Sequence, residues 1–338
     1  MREADHIVLA HGGGGELTQR LIAEHILPRL GNPLLAPLTD GALLPATSGP
    51  LCLTTDSFVV QPLIFPGGDI GRLAVCGTLN DLAMMGARPL ALSLGLILEE
   101  GLALATLDRI LDSIAAAAAA AGVPVATGDT KVIERRGAGG LLINTTGLGE
   151  LLPGARLGAE RVSAGDLILI NGGIAEHGLA VLSVREHLEF ATDLTSDVAA
   201  LDSLVAALVG ACGEELKFLR DPTRGGLAGL VCDLAAASGV GVELDERAIP
   251  ILPVARATAE LLGLDPLAVA NEGKLVAVVS PAAAPAALAA LRAHPLGARA
   301  ALIGRLRPAA PPLAELLTRG GGRRLISRPY GEDLPRIC

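Results

Sequence analysis

Apolar positions along the chain fall into two rhythms, short unbroken runs and recurrences every three to four residues. Leu51 to Thr55 reads as a strand ending on Asp56, and Leu90 to Leu98 as a buried strand. Val125 to Gly128 reads as a short strand that delivers Asp129, and Leu141 to Gly147 as another. Between the first two, Ile70, Leu73, Ala74, Leu82 and Met85 recur at helical spacing, which predicts a helix over 70–85. A second helix is expected with Thr106 as N-cap. It runs through Leu107, Ile110, Leu111 and Ile114 into a row of alanines, and Gly122 and Pro124 end it.

Pro153-Gly154 marks a change of domain, and the same alternation then resumes. A strand over Leu167 to Ile170 leads into Asn171-Gly172-Gly173, and helices follow around 177–188 and 198–209. Arg220 to Gly226 reads as a turn opening a helix through Ala237. Leu275 to Val279 is a strand just after Asn271-Glu272-Gly273-Lys274, and 282–300 holds a peripheral helix. Gly320-Gly321-Gly322 precedes a closing tail. The expected division is 1–153, 154–319 and a mobile tail 320–338.

Composition sharpens this picture. Of 338 residues, 51% are hydrophobic but only 1% aromatic, so the core must be built from Leu, Val, Ile and Ala. That suits an α/β (α+β) protein with buried strands under Ala-rich helices. A net charge of -9 argues against a nucleic-acid partner, which calls for a basic surface. It leaves ATP open, since metal ions and a few local cations can invert the field in one cleft. No apolar stretch approaches the roughly 20 residues of a membrane span, and the N-terminal residues lack a signal-like pattern, so the expected location is cytoplasmic. Cys52, Cys76, Cys212, Cys232 and Cys338 show no CxxC spacing, which gives neither a zinc site nor a disulfide framework any support.

Five carboxylates stand at expected strand-to-loop or turn positions: Asp40, Asp56, Asp81, Asp129 and Asp221. Singly, each is an ordinary turn or cap residue. Jointly they are what a magnesium-nucleotide site needs, because Mg²⁺ takes oxygen ligands and bridges carboxylates to phosphates. No GxxxxGK[ST] loop is present. His11 to Gly15 offers successive backbone N–H groups, from Gly13 and Gly14 among others, that can close over phosphates. Lys131 and Arg224 are the cations best placed to offset phosphate charge. The sequence closes on Pro335-Arg336-Ile337-Cys338, where a thiol on a chain end can be carried from one place to another.

Together these motifs resemble the HypE family of hydrogenase maturation factors. The resemblance rests on Thr54-Thr55-Asp56-Ser57-Phe58, on Phe65-Pro66-Gly67-Gly68-Asp69 and on Gly77-Thr78-Leu79-Asn80-Asp81-Leu82. Gly128-Asp129-Thr130-Lys131, Asp221-Pro222-Thr223-Arg224-Gly225-Gly226, Asn271-Glu272-Gly273-Lys274 and the terminal tetrapeptide complete it. It spans essentially the whole chain, and the terminal tetrapeptide is its most specific element. One departure is Gly172-Gly173-Ile174-Ala175-Glu176-His177-Gly178, where the family commonly has Gly-Pro-Ile-Gly-Asp-His-Gly.

The resemblance implies the two-domain fold of aminoimidazole ribonucleotide synthetase, thiamin-phosphate kinase and selenophosphate synthetase. In that fold the N-terminal domain pairs with its copy into a barrel-like homodimer and ATP lies near the interface. It further implies ATP-dependent dehydration of a carbamoyl group on Cys338 to a thiocyanate, the source of cyanide for [NiFe] hydrogenase. Asp56, Asp81 and Asp221, with Asp40 as a fourth, would hold Mg²⁺. Asp129, Thr130, Asn80, Gly13, Gly14 and Arg224 would meet the nucleotide, Lys131 would neutralise the transferring phosphoryl group, and Glu272 would be the base. Expected partners are the carbamoyltransferase HypF and an iron-carrying HypC–HypD complex, with neither nucleic acid nor membrane. The competing readings are a superfamily enzyme acting on a soluble metabolite, and a non-catalytic thiol carrier.

Overall fold

The structure is a computed structural model that describes residues 5–39, 41–135, 137, 139–187 and 194–329. Asp40 and the tetrapeptide ending in Cys338 lie outside the described residues. Two sheets organise the chain. The first contains β1 (Leu51–Phe58), β2 (Ala87–Glu99), β3 (Val125–Ile133) and β4 (Leu141–Leu151), in the order β1-β4-β2-β3. Only the β2–β3 pair is parallel. One face is covered by α1 (Ile70–Met84) and α2 (Leu104–Ala121), whose Leu73, Leu79, Leu107, Ile110 and Ile114 are fully buried with Leu92 and Leu98.

The two helices start differently. Asp69 caps α1 by accepting the Arg72 backbone N–H at 2.9 Å, which satisfies one of the free donors at a helix start. Thr106 is not the N-cap of α2; the helix begins two residues before it with Ala103 at the cap position, making no side-chain bond. Its end agrees with the sequence pattern, because Gly122 takes the left-handed conformation at φ 67°.

The opposite face of this sheet carries no helix among the described residues. Leu53 is 70% exposed there with Leu51 beside it, and Ile97 is exposed toward the other end of the same face. Two polar rows cross the same face. Thr55, Thr146, Ser93 and Thr127 stand in register, followed by Ser57, Asn144, Gly95 and Asp129.

The second sheet holds β5 (Leu167–Ile170), β6 (Leu216–Arg220), β7 (Gly241–Asp245), β8 (Val276–Val279), β9 (Ala301–Arg307), β10 (Ala314–Leu317) and β11 (Arg323–Leu325). Their order is β11-β10-β7-β9-β5-β8-β6. It is buried on both sides at its centre: Ile168, Ile170, Val276 and Val278 pack in one apolar cluster, and Leu169, Ala277 and Val279 in another. This is the alternation a strand imposes. Against the first side lies α5 (Gly226–Ser238), and against the second α4 (Asp202–Cys212). A further helix, α3 (Glu176–Arg185), follows β5. β6, β7, β9, β10 and β11 were not anticipated from the sequence. β11 places the start of segment 320–338 in the sheet rather than in a free tail. No helix among the described residues is long and apolar enough to cross a membrane.

Candidate active site

β1 and α1 meet the second domain around a cavity of about 200 Å³. It is lined by Thr55, Asp56, Ser57, Phe58, Gly77 and Asp81 from one domain and by Asp221, Thr223, Arg224 and Glu272 from the other. Asp56, Asp81 and Asp221, expected at the metal, and Glu272, expected as the base, therefore line one cavity, two of them from regular elements rather than turns. Asp56 stands inside β1 and Asp81 inside α1. Asp221, between β6 and α5, and Glu272, ahead of β8, occupy loops. The β strand runs on to Phe58 because its pairing with β4 continues, and the polar Thr-Thr-Asp-Ser run simply faces the cavity and the open sheet face.

The electrostatics are those of crowded, poorly solvated acids. Burial pushes the Asp81 carboxyl up, opposed by the hydroxyl of Thr54, which donates to it at 2.9 Å, and reinforced by Asp56. Burial, with Asp81 as the next cause, pushes Asp221 up to about 7. Glu272 is 3% exposed, and burial followed by Asp221 and Asp197 raises it well above the ordinary carboxylate range. Its Oε1 has no hydrogen-bond partner in spite of being buried. A buried acceptor left open costs free energy unless something fills it, so the cavity asks for a cation or a donor. Among the described residues no three His, Cys, Asp or Glu side chains converge into a ready-made metal cage. The donor set instead fits Mg²⁺, which is usually held by one or two carboxylates plus the phosphates that arrive with it.

The turn that carries Glu272 is held from behind. Asp197 accepts the backbone N–H groups of Glu272 at 3.2 Å and Gly273 at 3.1 Å, and pairs with Lys274 at 2.9 Å. Lys274 also reaches Glu176 at 3.2 Å, which Arg299 meets at 3.1 Å. The acid at 176 is therefore part of a buried ionic support. His177 packs edge-on against Phe65 and bonds Ser196 at 2.8 Å, a structural position. Asn271 donates to the carbonyls of Pro222 and Val269 and accepts from the Ala175 N–H, tying the Glu272 turn to the Asp221 loop.

Asn80, expected at the nucleotide, instead spends its side chain on backbone. Its amide donates to the carbonyls of Ala199 at 3.1 Å and Glu272 at 3.2 Å and accepts from the Leu201 N–H at 2.8 Å. It clamps α1 to the Glu272 turn. Asp197 and Lys274 were missed by sequence reasoning, and for Lys274 the signal was its place directly after Asn-Glu-Gly.

The remaining candidates form a second group at the other edge of the first sheet. Asp129, Thr130 and Lys131 lie within β3 rather than after it, and the Asp129 and Lys131 side chains pair at 3.1 Å, both about two-thirds exposed. The glycine loop packs beside them: a side chain at Gly12 would meet the Val132 backbone N at 2.8 Å. Gly13 and Gly14 are exposed, with Gly14 at φ 77°. Three inter-strand steps separate Asp129 from Ser57 along one row, roughly 14 Å at the usual strand spacing. Within one chain, Lys131 is therefore not in the acidic cavity.

The raised Asp221 value has a consequence for the protein free of nucleotide and divalent cations. Its unfolded value is about 3.9, so the folded state holds the extra proton between that and about 7. Stability therefore falls as pH rises through this window and levels off above it. Asp221→Asn removes the penalty. Its advantage over the native protein should be larger at pH 8 than at pH 5, on the order of 1–2 kcal/mol after solvent screening. Thermal melts at both pH values measure it, and an advantage no larger at pH 8 would contradict the burial of that charge.

Comparison with known proteins agrees with this geometry. The AIR synthase related protein N-terminal domain family matches residues 38–151, and its C-terminal domain family matches 163–310. A carbamoyl dehydratase HypE from Rhizobium leguminosarum bv. viciae is 50% identical over 332 residues, covering 98% of this chain and 95% of the relative. A crystal structure of hydrogenase maturation protein HypE in complex with ATP superposes with a TM-score of 0.94 at 45% identity, covering 98% of this chain and 99% of that one. HypE in a HypE–HypF complex superposes at 0.80 with 43% identity, covering 91% and 99%. With an acid-lined cavity between two AIR synthase-type domains and near-half identity over almost its whole length, the chain belongs to the carbamoyl dehydratase HypE family.

Proposed function

We propose that this chain binds ATP and uses it to dehydrate a carbamoyl group on its own Cys338 to a thiocyanate, supplying cyanide for the iron of [NiFe] hydrogenase. The observation that carries this reading is the buried Glu272 with an open Oε1 at the base of a cavity shared with Asp56, Asp81 and Asp221. A carboxamide cannot release oxide in neutral water. Phosphorylation of the amide oxygen by the γ-phosphoryl group lets that oxygen leave within inorganic phosphate. One N–H proton goes to the base and the other leaves with the departing phosphate, and the C≡N bond forms while the C–S bond is kept.

Each group has a place in this scheme. Glu272, whose carboxyl burial raises well above the ordinary carboxylate range, takes an N–H proton. Asp56, Asp81 and Asp221 would hold Mg²⁺, with Asp40 as a further ligand; the ion, when bound, neutralises phosphate charge. Arg224 lines the cavity beside them and would offset the charge of the phosphates. Lys131, Asp129, Thr130 and the Gly13-Gly14 loop lie at the far edge of the sheet and would grip the nucleotide from there.

A second copy would bring that far edge to the cavity. Pairing through the open sheet face would cover Leu51, Leu53 and Ile97 and close the two sheets into a barrel, which is the homodimer we infer. HypF would load the carbamoyl group, and the HypC–HypD complex would receive the cyanide.

The test is intact-mass analysis of the C-terminal peptide after incubation with HypF, its carbamoyl donor and ATP. The expected sequence is a carbamoyl adduct on Cys338 followed by ATP-dependent loss of one water, with neither species in Cys338→Ala. An adduct that never loses water would refute the assignment.

A further inference from the structure

The Glu272 carboxylate keeps one buried oxygen open, yet the backbone that carries it is bonded throughout. Asp197 takes the N–H groups of Glu272 and Gly273, one on each carboxylate oxygen, at 3.2 and 3.1 Å. The Glu272 carbonyl accepts from Asn80 at 3.2 Å, and the Gly273 carbonyl from Asn171 at 3.1 Å. The packing is as close as the bonding. A side chain at Gly273 would collide with the Asp197 carbonyl.

Asp197 stays ionised in this setting. Burial pushes its carboxyl up, but Lys274 at 2.9 Å, with His177, outweighs that and holds it below the ordinary carboxylate range. Both of its oxygens therefore accept at neutral pH. Lys274 is shared with Glu176 at 3.2 Å, so the charge is balanced inside the fold.

Asn80 connects the same turn to the other side of the cavity. It is 1% exposed, and its amide hydrogens and oxygen are all taken by the backbone of Ala199, Glu272 and Leu201. That leaves it nothing to offer a nucleotide. About two turns earlier on α1, Arg72 donates to the Val198 carbonyl at 3.1 Å. α1 thus grips the segment 198–201 as well as Glu272 itself. The residue after Asn80 is Asp81, which lines the cavity and is proposed above as a metal ligand. Asp81 and Glu272 are therefore carried on one cross-linked unit, although they come from different domains.

We propose that Asp197 and Asn80 are positioning residues for the dehydration: Asp197 aims the Glu272 carboxylate by fixing its backbone, and Asn80 sets its distance from Asp81. Neither side chain touches the reacting atoms. This inference rests on the dehydration proposed above, with Glu272 as its base. Proton transfer tolerates little error in placement, and a shift of about 1 Å can slow a reaction by about 10²-fold.

Asp197→Asn turns one acceptor oxygen into an N–H donor and leaves Lys274 paired with Glu176. Loaded with a carbamoyl group and mixed with saturating ATP, it should lose water with a single-turnover rate constant about ten- to a hundredfold below native. The amplitude of water loss, the ATP concentration giving half the maximal rate and the loading rate should stay native. A merely destabilised fold would lower the amplitude and leave the rate constant of the folded chains alone. Added to Glu272→Gln, Asp197→Asn should slow dehydration no further, since it acts through the side chain already replaced. Asn80→Ala leaves the ionic cluster intact and should show the same fall in rate constant at native amplitude; it carries the test if Asp197→Asn fails to fold. A native rate constant, or a loss confined to the amplitude, would remove the residue concerned from the scheme. An equal further loss in the Glu272→Gln background would overturn the aiming role of Asp197. If the native protein itself retained its adduct, the dehydration reading would fall instead, so the two failures are distinct.

Discussion

Glu272→Gln is expected to accept a carbamoyl group on Cys338 at the native rate and then fail to dehydrate it, with single-turnover water loss slowed by about 10²–10⁴. Loading needs an accessible thiol and the loading enzyme, not a proton acceptor in the cavity. Dehydration needs a proton acceptor, and a glutamine amide has no comparable basicity. The substitution keeps the side-chain volume and replaces an acid that the fold strains to ionise, because burial and the neighbouring Asp221 and Asp197 both disfavour the charge. Thermal stability should therefore hold or rise, which separates loss of chemistry from loss of fold. ATP binding should persist, since Arg224 and the aspartates are untouched. Mass analysis after rapid mixing with ATP and Mg²⁺ decides the matter. Water loss at the native rate would remove Glu272 from the proton transfer.

The parts of the site legible in the sequence are those where local pattern and tertiary position agree. α1 was readable because its apolar residues recur at helical spacing, and the structure adds the Asp69 cap. The Asp221 loop was readable because Asp-Pro-Thr-Arg-Gly-Gly cannot be a strand or a helix interior. Gly226 must take φ 58° where a side chain would strike the Leu267 carbonyl at 2.5 Å. Glu272 was readable as an acid on a tight turn before an apolar strand, and the structure adds that the turn is buried.

What was not legible depended on contacts across the fold. Gly128-Asp129-Thr130-Lys131 looks like a turn, yet β3 pairs with β2 through all of it. An edge strand on an open sheet face can carry charged residues without cost, so polarity there says little about backbone conformation. Lys274 would be read as a surface lysine, since lysines are almost never fully buried unless paired. Its partners come from Asp197 and Glu176, far away in sequence. The helix expected over 198–209 begins only at Asp202, because 194–201 is irregular backbone held by Asn80 and by Pro66, whose carbonyl accepts the Ser196 N–H. Nothing periodic could have announced that it supports the Glu272 turn.

The division of the candidate residues between two edges of one sheet leads to the second large effect. Lys131→Ala and Asp81→Asn are each expected to abolish dehydration as homodimers, the first by leaving the transferring phosphoryl charge unopposed and the second by removing a metal ligand. Their mixture should regain activity if a partner's open sheet face brings Lys131 to the cavity. In a mixed pair one cavity has all its carboxylates together with the native lysine of the other chain, while the second cavity lacks both. Random pairing of equal amounts into two-fold dimers leaves about a quarter of all sites complete. The chain that regains function is also specified. Mass analysis should show water lost from the adduct on Lys131→Ala chains, whose cavity is intact, and retained on Asp81→Asn chains. The roughly 14 Å between Asp129 and Ser57 across the sheet motivates this expectation. An exposed lysine could reach the cavity of its own chain only by spanning that face. If the mixture stays as inactive as its components although mixed dimers are present, Lys131 acts within its own chain and the face-to-face pairing does not build the site.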